Sequence, residues 1–573
     1  MPDLSQTQPF AFTCEGGLVK SRSTFIMKPG QALELLNFEP DIKGGYRRIN
    51  GFRKHINHIV PQTSASTEKI LMVAFFNDNI LAARGEKIFS SASTELSLKI
   101  LQATGMTGSG TITVDSTSGF SSSGTLQINS EIFTYTGKTS TTFTGVTRAT
   151  SSTSAAAHAV DDAVSESWTE RDTGRTNASK YSFERYNFDG NEKIIVVDGV
   201  NDPTVFNTSF SATDVTESSV EGAKFVTAFK NHMFYAGMAS TPQELVFSVP
   251  FDEDAFNSGS GGGSIKVDDT IVGMKAFRGD LFVFCENRIF KLSGTSSSDF
   301  AITPVTRNIG CVNGDTIQEF AGDLIFLGPD GLRTVAGTAR IGDVELGTIS
   351  ANVQSIFDDN LVDSALFESI VIPDKTQYRI FFSKTGTSED STKGVICVMK
   401  GQTFEFSELR GIKPSATDTF VEEGNVLVLH GGFDGYIHRQ EKGDDFDGTS
   451  ISGRYRSPDL TFNDPGIRKH MQRVILNYEP ESAINADMFV RYDYEDKNSA
   501  RPAAYPLDST DVVAIYGTSV YGTPTYGGTS QPLVRQPVEG SGFAVALRVN
   551  DNATTAPYSL KGFGLEYQVG ARR

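Results

Sequence analysis

The stretch IVGMKAFRGDLFVFCENRIFKLSG, residues 271–294, decides the fold class of this chain. Three short segments in it alternate apolar and polar residues, and short polar turns separate them. Alternation around turns of Gly, Asn or Asp is typical of antiparallel hairpins. The stretch therefore predicts three consecutive strands of one antiparallel sheet.

The same pattern recurs along the chain at a nearly constant spacing. Similar units begin at Ile70, Ser182, Phe225, Thr316, Ser369 and Thr419. Their first turns fall near Asp78, Asp189, Asn231, Gly279, Gly322, Asp374 and Gly424, and from the second of these onward the turns are 42 to 52 residues apart. A period of about 40–50 residues is that of a four-stranded propeller blade. We predict an all-β fold with a β-propeller of six or seven blade-like units.

The one long step in the repeat coincides with a segment of different composition. Asp78 and Asp189 are 111 residues apart, and residues 98–167 between them are dense in Ser, Thr and Gly. Removing these 70 residues leaves a step of 41 residues, which restores the period. We therefore interpret 98–167 as an inserted small β module.

Past residue 444 the pattern changes to long alternating strands with wide loops, which is typical of a separate β-sandwich. The predicted domains follow from these boundaries. They are an N-terminal clasp and the start of the propeller at 1–67, a first propeller unit at 68–97, the inserted module at 98–167, the remaining units at 168–444 and a C-terminal β-sandwich at 445–573.

Composition limits the classes of partner. The chain has 573 residues, 69 Asp and Glu against 51 Lys and Arg, and a net charge of −18. Such a surface repels phosphates on average, so tight DNA binding by the whole molecule is not expected, although DNA can pass without sticking. No signal peptide or membrane span is predicted. The four cysteines lie far apart, which predicts reduced, mostly buried thiols.

We find no motif that predicts catalysis, a cofactor or a metal, and the chain is predicted not to be an enzyme. YTGKTST, residues 135–141, lacks the first Gly of a phosphate loop. His55 and His58 are three residues apart, but the sequence around them reads as strand, so a pair of surface histidines is favoured over a metal site. DDFDGTS, residues 444–450, lacks the twelfth-position Glu of a calcium loop and is interpreted as an acidic turn between domains.

One segment is basic within this acidic chain. LLNFEPDIKGGYRRINGFRKH, residues 35–55, contains a Gly pair and five Lys or Arg. Gly44 and Gly45 would supply the positive φ of a tight hairpin, and INGFRKHI, residues 49–56, would begin the first propeller unit. The cations could pair with carboxylates in the propeller or on a neighbouring subunit. A structural clasp is favoured over a phosphate cradle or a nucleic-acid patch, because the cations are compressed into a turn. We expect the clasp at a subunit or adaptor interface, formed by Lys43, Tyr46, Arg47, Arg48, Arg53 and Lys54.

Three segments resemble structural proteins of tailed bacteriophages. PGQALELLNFEPDIKGGYRRINGFRK, residues 29–54, resembles a signature that precedes a β-propeller in such proteins, with matches at Pro29, Gly30, Asn37, Gly44, Gly45, Tyr46, Arg48 and Gly51. Residues 110–148 are similar to a small β module that recurs in phage tail proteins. Residues 456–479 and 562–573 resemble the C-terminal sandwich of the tail nozzle proteins (tail tubular protein B) of short-tailed phages.

The resemblance implies a structural virion protein, assembled in the bacterial host cytoplasm. Six copies would form a nozzle below the tail adaptor, through which genomic DNA is ejected without specific binding, and tail fibres would be further partners. The alternative is a host-surface protein that binds glycans, with Tyr516, Tyr521 and Tyr526 stacking on sugar rings. A third reading, a propeller enzyme such as a sialidase or lyase, would need an Arg cluster and paired carboxylates on the propeller axis.

Overall fold

The structure is a computed structural model that describes residues 7–56, 58–61, 69–92, 98–99, 110–118, 120, 122–129, 131–150, 153–159, 162–335, 348–362, 364–384, 392–422, 424–481, 484–507 and 533–572. Strands dominate, and the α-helix α1 spans Gln354–Leu361. The all-β part of the fold prediction is therefore confirmed. No helix in the described ranges is long and apolar enough to cross a membrane.

Seven antiparallel groups of three or four strands follow one another along the chain, and we number them units 1 to 7; six are separate small sheets, and unit 6 is part of a nine-stranded sheet. Unit 1 contains β6 (Met72–Phe76), β7 (Asn79–Arg84), β8 (Lys87–Ala92) and β16 (Thr169–Asp172). Unit 2 contains β17 (Ser182–Phe188), β18 (Asn191–Val197), β19 (Thr204–Asn207) and β20 (Ala212–Asp214). Unit 3 contains β21 (Phe225–Phe229), β22 (His232–Ala236), β23 (Glu244–Phe247) and β24 (Gly263–Lys266). Unit 4 contains β25 (Ile271–Phe277), β26 (Asp280–Cys285), β27 (Ile289–Ser293) and β28 (Ala301–Thr306). Unit 5 contains β29 (Gln318–Phe320), β30 (Asp323–Gly328) and β31 (Gly331–Thr334).

Units 6 and 7 complete the series. Unit 6 contains β32 (Ser364–Ile372), β33 (Gln377–Lys384), β34 (Lys393–Lys400) and β35 (Thr403–Leu409). Unit 7 contains β36 (Pro414–Glu422), β37 (Asn425–Gly432), β38 (Ile437–Gln440) and the N-terminal strand β5 (Phe52–Lys54). Each of the seven turns predicted from the repeat lies between the first and second strands of one unit.

Apolar packing joins each unit to the next. The first strands contact one another through units 1 to 4 and again through units 5 to 7, and β36 of unit 7 also contacts β6 of unit 1. Between units 4 and 5, β25 contacts the short 3-10 turn Gly314–Thr316 that precedes β29. A hydrophobic core lies between every pair of neighbours; Leu81 and Ile194 join units 1 and 2, for example, and Val73 and Leu429 join units 1 and 7. The middle strands are therefore covered on both faces, which explains why they read as continuous apolar runs.

The predicted insert lies between β8 and β16 of unit 1. It forms two sheets of its own from β9 (Leu98–Lys99), β10 (Gly110–Thr113), β11 (Gly124–Ile128), β12 (Glu131–Tyr135), β13 (Gly137–Lys138), β14 (Thr142–Val146) and β15 (Ala163–Glu166). Their apolar side chains, including Ile112, Phe133 and Phe143, form a separate core. The segment thus has the internal packing of a module.

Two larger sheets combine both ends of the described chain. The first runs β32-β33-β34-β35-β2-β39-β45-β41-β42 and adds β2 (Glu34–Leu36), β39 (Ile451–Arg456), β41 (Ala486–Tyr492), β42 (Tyr505–Pro506) and β45 (Val545–Ala553) to unit 6. The second contains β1 (Thr7–Thr13), β3 (Phe38–Pro40), β4 (Tyr46–Arg48), β40 (Ile467–Pro480), β43 (Leu533–Pro537), β44 (Ser541–Gly542) and β46 (Tyr558–Arg572). Tyr455 and Leu547 of the first sheet share one core with Val474 and Leu565 of the second.

Strand β5 corrects one expectation about the N-terminal segment. We expected INGFRKHI to begin the first unit, but β5 pairs antiparallel with β38 and forms the fourth strand of unit 7. The Phe52 ring supplies the reason, because it packs against His430, His438 and Phe446 of unit 7 and the turn that follows it.

Candidate functional site

The basic segment begins with a tight hairpin between β3 and β4. The amide of Asp41 donates to the carbonyl of Gly45 at 3.0 Å, and the amide of Gly44 donates back to Asp41 at 2.9 Å. Gly44 and Gly45 have φ of 90° and 95°, so the predicted need for glycine is confirmed. A Cβ on Gly45 would also lie 2.6 Å from the carbonyl oxygen of Leu560 in β46.

Tyr46 is a buried anchor of this hairpin. Its hydroxyl donates to the carbonyl of Gly30 at 2.6 Å and accepts from the amide of Gly17 at 3.0 Å. Gly30 and Tyr46 are both positions of the phage-type signature, so two matched residues bond to each other. A third, Asn37, bonds through its side chain to the carbonyl of Ser452 and the amide of Arg410. The signature therefore describes contacts that hold the two ends of the chain together.

Arg48 is fully buried. Its Nη1 lies 2.9 Å from Oδ2 of Asp551, and the side chain of Asp551 is 1% exposed. The guanidinium also donates to the backbone carbonyls of Ala553 and Thr555. A buried charge persists only when it is paired and hydrogen-bonded, and Arg48 meets both conditions within its own chain.

Arg47 belongs to a network around Glu39. Its Nε lies 2.6 Å from Glu481, and its Nη1 lies 3.2 Å from Glu39. Glu39 is also paired with Lys375 at 2.6 Å and with Arg379 at 3.4 Å. Because both of these cations belong to unit 6 or its first turn, the network ties the hairpin to that unit.

The last two cations face the acidic turn at 444–450. Arg53 forms an ion pair with Asp445, and Nζ of Lys54 lies 3.3 Å from Asp447. Hydrogen bonding from Arg53 holds the pKa of the Asp445 carboxyl below its usual value, although partial burial opposes this. The acidic turn thus neutralises part of the basic segment.

The six predicted interface residues therefore have three different environments. Arg47, Arg48, Arg53 and Lys54 pair with carboxylates of the same chain, Tyr46 is buried, and Lys43 is exposed at the hairpin tip. The sequence allowed carboxylate partners in the propeller or on a neighbouring subunit. The partners in the structure belong to the same chain but to none of units 1 to 7; they are Glu39, Glu481, Asp551, Asp445 and Asp447. A contact of this segment with another subunit stays a prediction.

His55 and His58 are not surface residues, and that expectation is wrong. They are 3% and 5% exposed, because the chain after β5 runs along unit 7 and beneath Trp168. The amide of His55 donates to Ile437, and the Trp168 indole donates to the carbonyl of His58. Burial lowers the pKa of His58 to about 4. Within the described residues no three His, Cys, Asp or Glu are grouped so as to hold a metal.

Sequence reasoning missed a charged cluster at the meeting point of several units. Nζ of Lys180 lies 2.8 Å from Asp315 and also pairs with Glu368, beside a cavity of about 170 Å³. Burial raises the pKa of Glu368 to about 7, against the opposing effect of Lys180. No local pattern could have indicated this cluster, since its members are far apart in sequence.

Comparison with known proteins identifies no family for this chain. No protein-family model and no curated protein matches it. Among solved structures, Hsv2 of Kluyveromyces lactis is 8% identical with a TM-score of 0.28, and the match covers 60% of this chain and 98% of Hsv2. PorZ of Porphyromonas gingivalis, a bacterial surface component of the type-IX secretion system, is 9% identical with a TM-score of 0.27, and the match covers 70% of this chain and 44% of PorZ. Likenesses at such TM-scores support no conclusion about function.

Proposed function

We propose that the chain is a structural virion protein, the nozzle of a short phage tail. Six copies would form a tube below the tail adaptor, with tail fibres nearby, and the genome would leave through the lumen. The starting point is the resemblance of residues 29–54 to structural proteins of tailed phages and of residues 456–479 to tail nozzle proteins. The observation that carries the proposal is that carboxylates of the same chain neutralise the basic segment.

A conduit for DNA must not hold DNA. Positively charged side chains on a protein surface bind DNA phosphates and release the counterions of the DNA. Each such contact increases the affinity for DNA. In this chain the guanidinium and ammonium groups of Arg47, Arg48, Arg53 and Lys54 are engaged by carboxylates of the same chain. The net charge of −18 is therefore not offset by a free basic patch in this segment, which suits a wall past which a duplex slides.

Units 1 to 7 are proposed to close into a seven-bladed β-propeller. Support comes from the order of contacts, since first strands pack on one another in units 1 to 4 and in units 5 to 7, and β36 packs on β6. Units 4 and 5 are joined by a shared apolar core. Further support comes from β5, which adds an N-terminal strand to the sheet of β36, β37 and β38. Such pairing would fasten the two ends of the ring, because unit 7 could not be completed without residues that precede unit 1.

Rigid coupling of the two parts of the chain also suits a tail component. The nine-stranded sheet continues from unit 6 through β2 into β39, β45 and β41 without a break in pairing. The Glu39 network reinforces this junction. A force along the tail would then act on one body, with the C-terminal strands forming the proposed β-sandwich.

The test is the mass of the purified full chain in solution, alone and mixed with the tail adaptor of the phage that encodes it, followed by electron-microscope class averages. Six-fold rings with an opening wide enough for a DNA duplex are expected. A duplex added to the rings should not be retained at moderate salt concentration, since the wall is acidic. A chain that stays monomeric with the adaptor present would overturn the nozzle proposal.

Host-surface recognition is the second candidate function. The tyrosines that suggested it, Tyr516, Tyr521 and Tyr526, lie outside the described residues. Two cavities between unit 7 and the nine-stranded sheet favour a role of this kind.

A further inference from the structure

Two cavities that share the lining residue Ser452 lie at the junction of unit 7 with the nine-stranded sheet. The first has a volume of about 570 Å³ and lies between β5, β37 and the turn at 444–450. The second has a volume of about 350 Å³ and lies at the ends of β39, β41 and β45. Ser452 lines both, and we name the pair the junction groove. Both volumes are in the range of small-molecule sites.

One end of the junction groove is aromatic. Phe52 stacks on Phe446 with ring centroids 5.3 Å apart, and His430 stacks on His438 at 4.9 Å. Burial lowers the pKa of His430 well below its usual value, so this ring is uncharged at neutral pH. His438 bonds through Nε2 to Asp434 at 3.1 Å. His430, His438 and Phe446 are buried behind Phe52, so this end offers the half-buried ring of Phe52 together with one oriented polar pair.

The other end is a row of polar side chains across three strands. Arg454 of β39 is opposite Asn550 of β45, and Asn550 is opposite Asp487 of β41. Side chains in such positions lie about 4.5–5.5 Å apart at Cβ. The row therefore presents a donor, an amide that donates and accepts, and an acceptor. Oδ1 of Asn550 is buried and has no hydrogen-bond partner in the described part of the chain, whereas the side chains of Arg454 and Asp487 beside it are exposed.

Opposite charges are balanced along the junction groove. Its cations are Arg410, Lys413 and Arg454, and its carboxylates include Asp434, Asp447 and Asp487. The remaining carboxylate, Asp551, is engaged by Arg48. Between these charges lie amides and hydroxyls of Asn37, Thr392, Thr449, Ser450, Ser452, Asn485 and Asn552. Balanced charge on a chain of net charge −18 favours an uncharged ligand over a polyanion or a cation.

We propose that the junction groove binds a neutral polyhydroxylated ligand of the size of a short oligosaccharide. The apolar face of one sugar ring would pack on the aromatic end, and the hydroxyls of the next would bond to the row Arg454, Asn550 and Asp487. The two cavities supply successive subsites. Binding of such a ligand requires neither a hexamer nor DNA in a channel. The ligand proposal can therefore fail while the nozzle proposal holds, and the reverse is also possible.

The experiment screens the full chain against an array of neutral oligosaccharides of two to six hexose or N-acetylhexosamine units. The strongest binder is then titrated calorimetrically against three proteins: the parent chain, a groove variant with Asn550→Ala and Asp487→Ala, and a matched control with Asn191→Ala and Glu192→Ala on exposed positions of β18. Kd should rise at least tenfold in the groove variant and stay unchanged in the control.

Each other outcome overturns the proposal: no neutral oligosaccharide binds, the groove variant binds as tightly as the parent chain, or binding is confined to sulfated oligosaccharides and DNA included as anionic probes. If the groove variant melts at a lower temperature than the parent chain, the single variant Asp487→Asn at an exposed site replaces it. That variant keeps the shape of the side chain, removes its charge and replaces one acceptor oxygen with a donor NH2 group, so weaker binding is still expected.

Discussion

Arg48 carries a positive charge with no exposed surface, so its effect on stability depends on Asp551. Removing one partner of a buried pair leaves the other charge desolvated and unpaired, which costs about 3–5 kcal/mol. We therefore expect Arg48→Ala to lower the free energy of unfolding by about that amount in chemical denaturation.

Arg473→Ala is the control for this change. Arg473 pairs with Glu566 at 3.2 Å, but its side chain is 45% exposed. An exposed pair contributes about 0–1 kcal/mol, so the control should unfold almost like the parent chain. Equal losses in the two variants would contradict the assignment of Arg48 as a structural cation.

Glu131 predicts a pH dependence of the inserted module. Burial alone would raise the pKa of its carboxyl, but hydrogen bonds from Arg148, the amide of Ala156 and His158 hold the pKa at about 2, against 4.5 for an ordinary Glu. The folded carboxyl binds its proton less readily than the unfolded one, so the stabilisation is present above pH 4.5 and is lost as the pH falls towards 2.

Hydrogen exchange of peptides from residues 110–150 of the full chain, corrected for intrinsic rates, measures this effect. Protection should fall between pH 5 and pH 2. In Glu131→Gln, protection should already be low at pH 5 and change less below it. Similar acid profiles for the two proteins would show that the module is not held by this carboxylate.

At the scale of elements, β5 depends on the absence of a side chain at Gly51. A Cβ there would lie 1.8 Å from the carbonyl oxygen of Asp445, so Gly51→Ala must push β5 away from the turn and from β38. Overpacking of this kind costs about 1–3 kcal/mol. We expect this loss in the free energy of unfolding, together with faster hydrogen exchange in β38.

Gly110→Ala serves as the comparison, because nothing lies within 4 Å of a Cβ at that position. It should change neither the stability of the chain nor the exchange of β38. Normal protection of β38 in Gly51→Ala would mean that the hairpin, and not β5, fixes the edge of unit 7.

Local pattern was sufficient to predict the elements whose partners are near in sequence. Each of the seven turns of the repeat was found, because a hairpin brings together residues only a few positions apart. Strand β5 was assigned to the wrong unit, since its partner β38 lies nearly four hundred residues away and Phe52 carries no sign of which core it joins. Arg48 and Lys180 are also far in sequence from their ion-pair partners, so local pattern could not indicate those pairs.

At the scale of the whole molecule, a short exposed turn is a candidate contact between copies. Phe25 and Ile26 are 58% and 68% exposed, and the exposed cations Arg22 and Lys28 flank them. A second copy with an acidic surface offers complementary charge, and burying each apolar side chain fully contributes about 1.5–3 kcal/mol.

The change Phe25→Ser with Ile26→Ser should therefore weaken ring formation by tenfold or more in sedimentation velocity, without lowering the melting temperature of the monomer. Val200→Ser, at a residue of unit 2 that is 47% exposed, is the control and should assemble normally. Unchanged assembly of the double variant would exclude this turn from the contact.

The pairing of β1 with β46 has a consequence for synthesis. Phe10 and Phe12 are in the first described strand, and their partners Leu565 and Phe563 are in the last. A growing chain emerges from the ribosome N-terminal end first, so these aromatic side chains wait for more than five hundred residues before their sheet can form. Contacts of such sequence separation are also slow to close. Phe10 and Phe12 therefore stay without their native partners during most of synthesis, and a chaperone that covers β1 in this period would protect the nascent chain from aggregation.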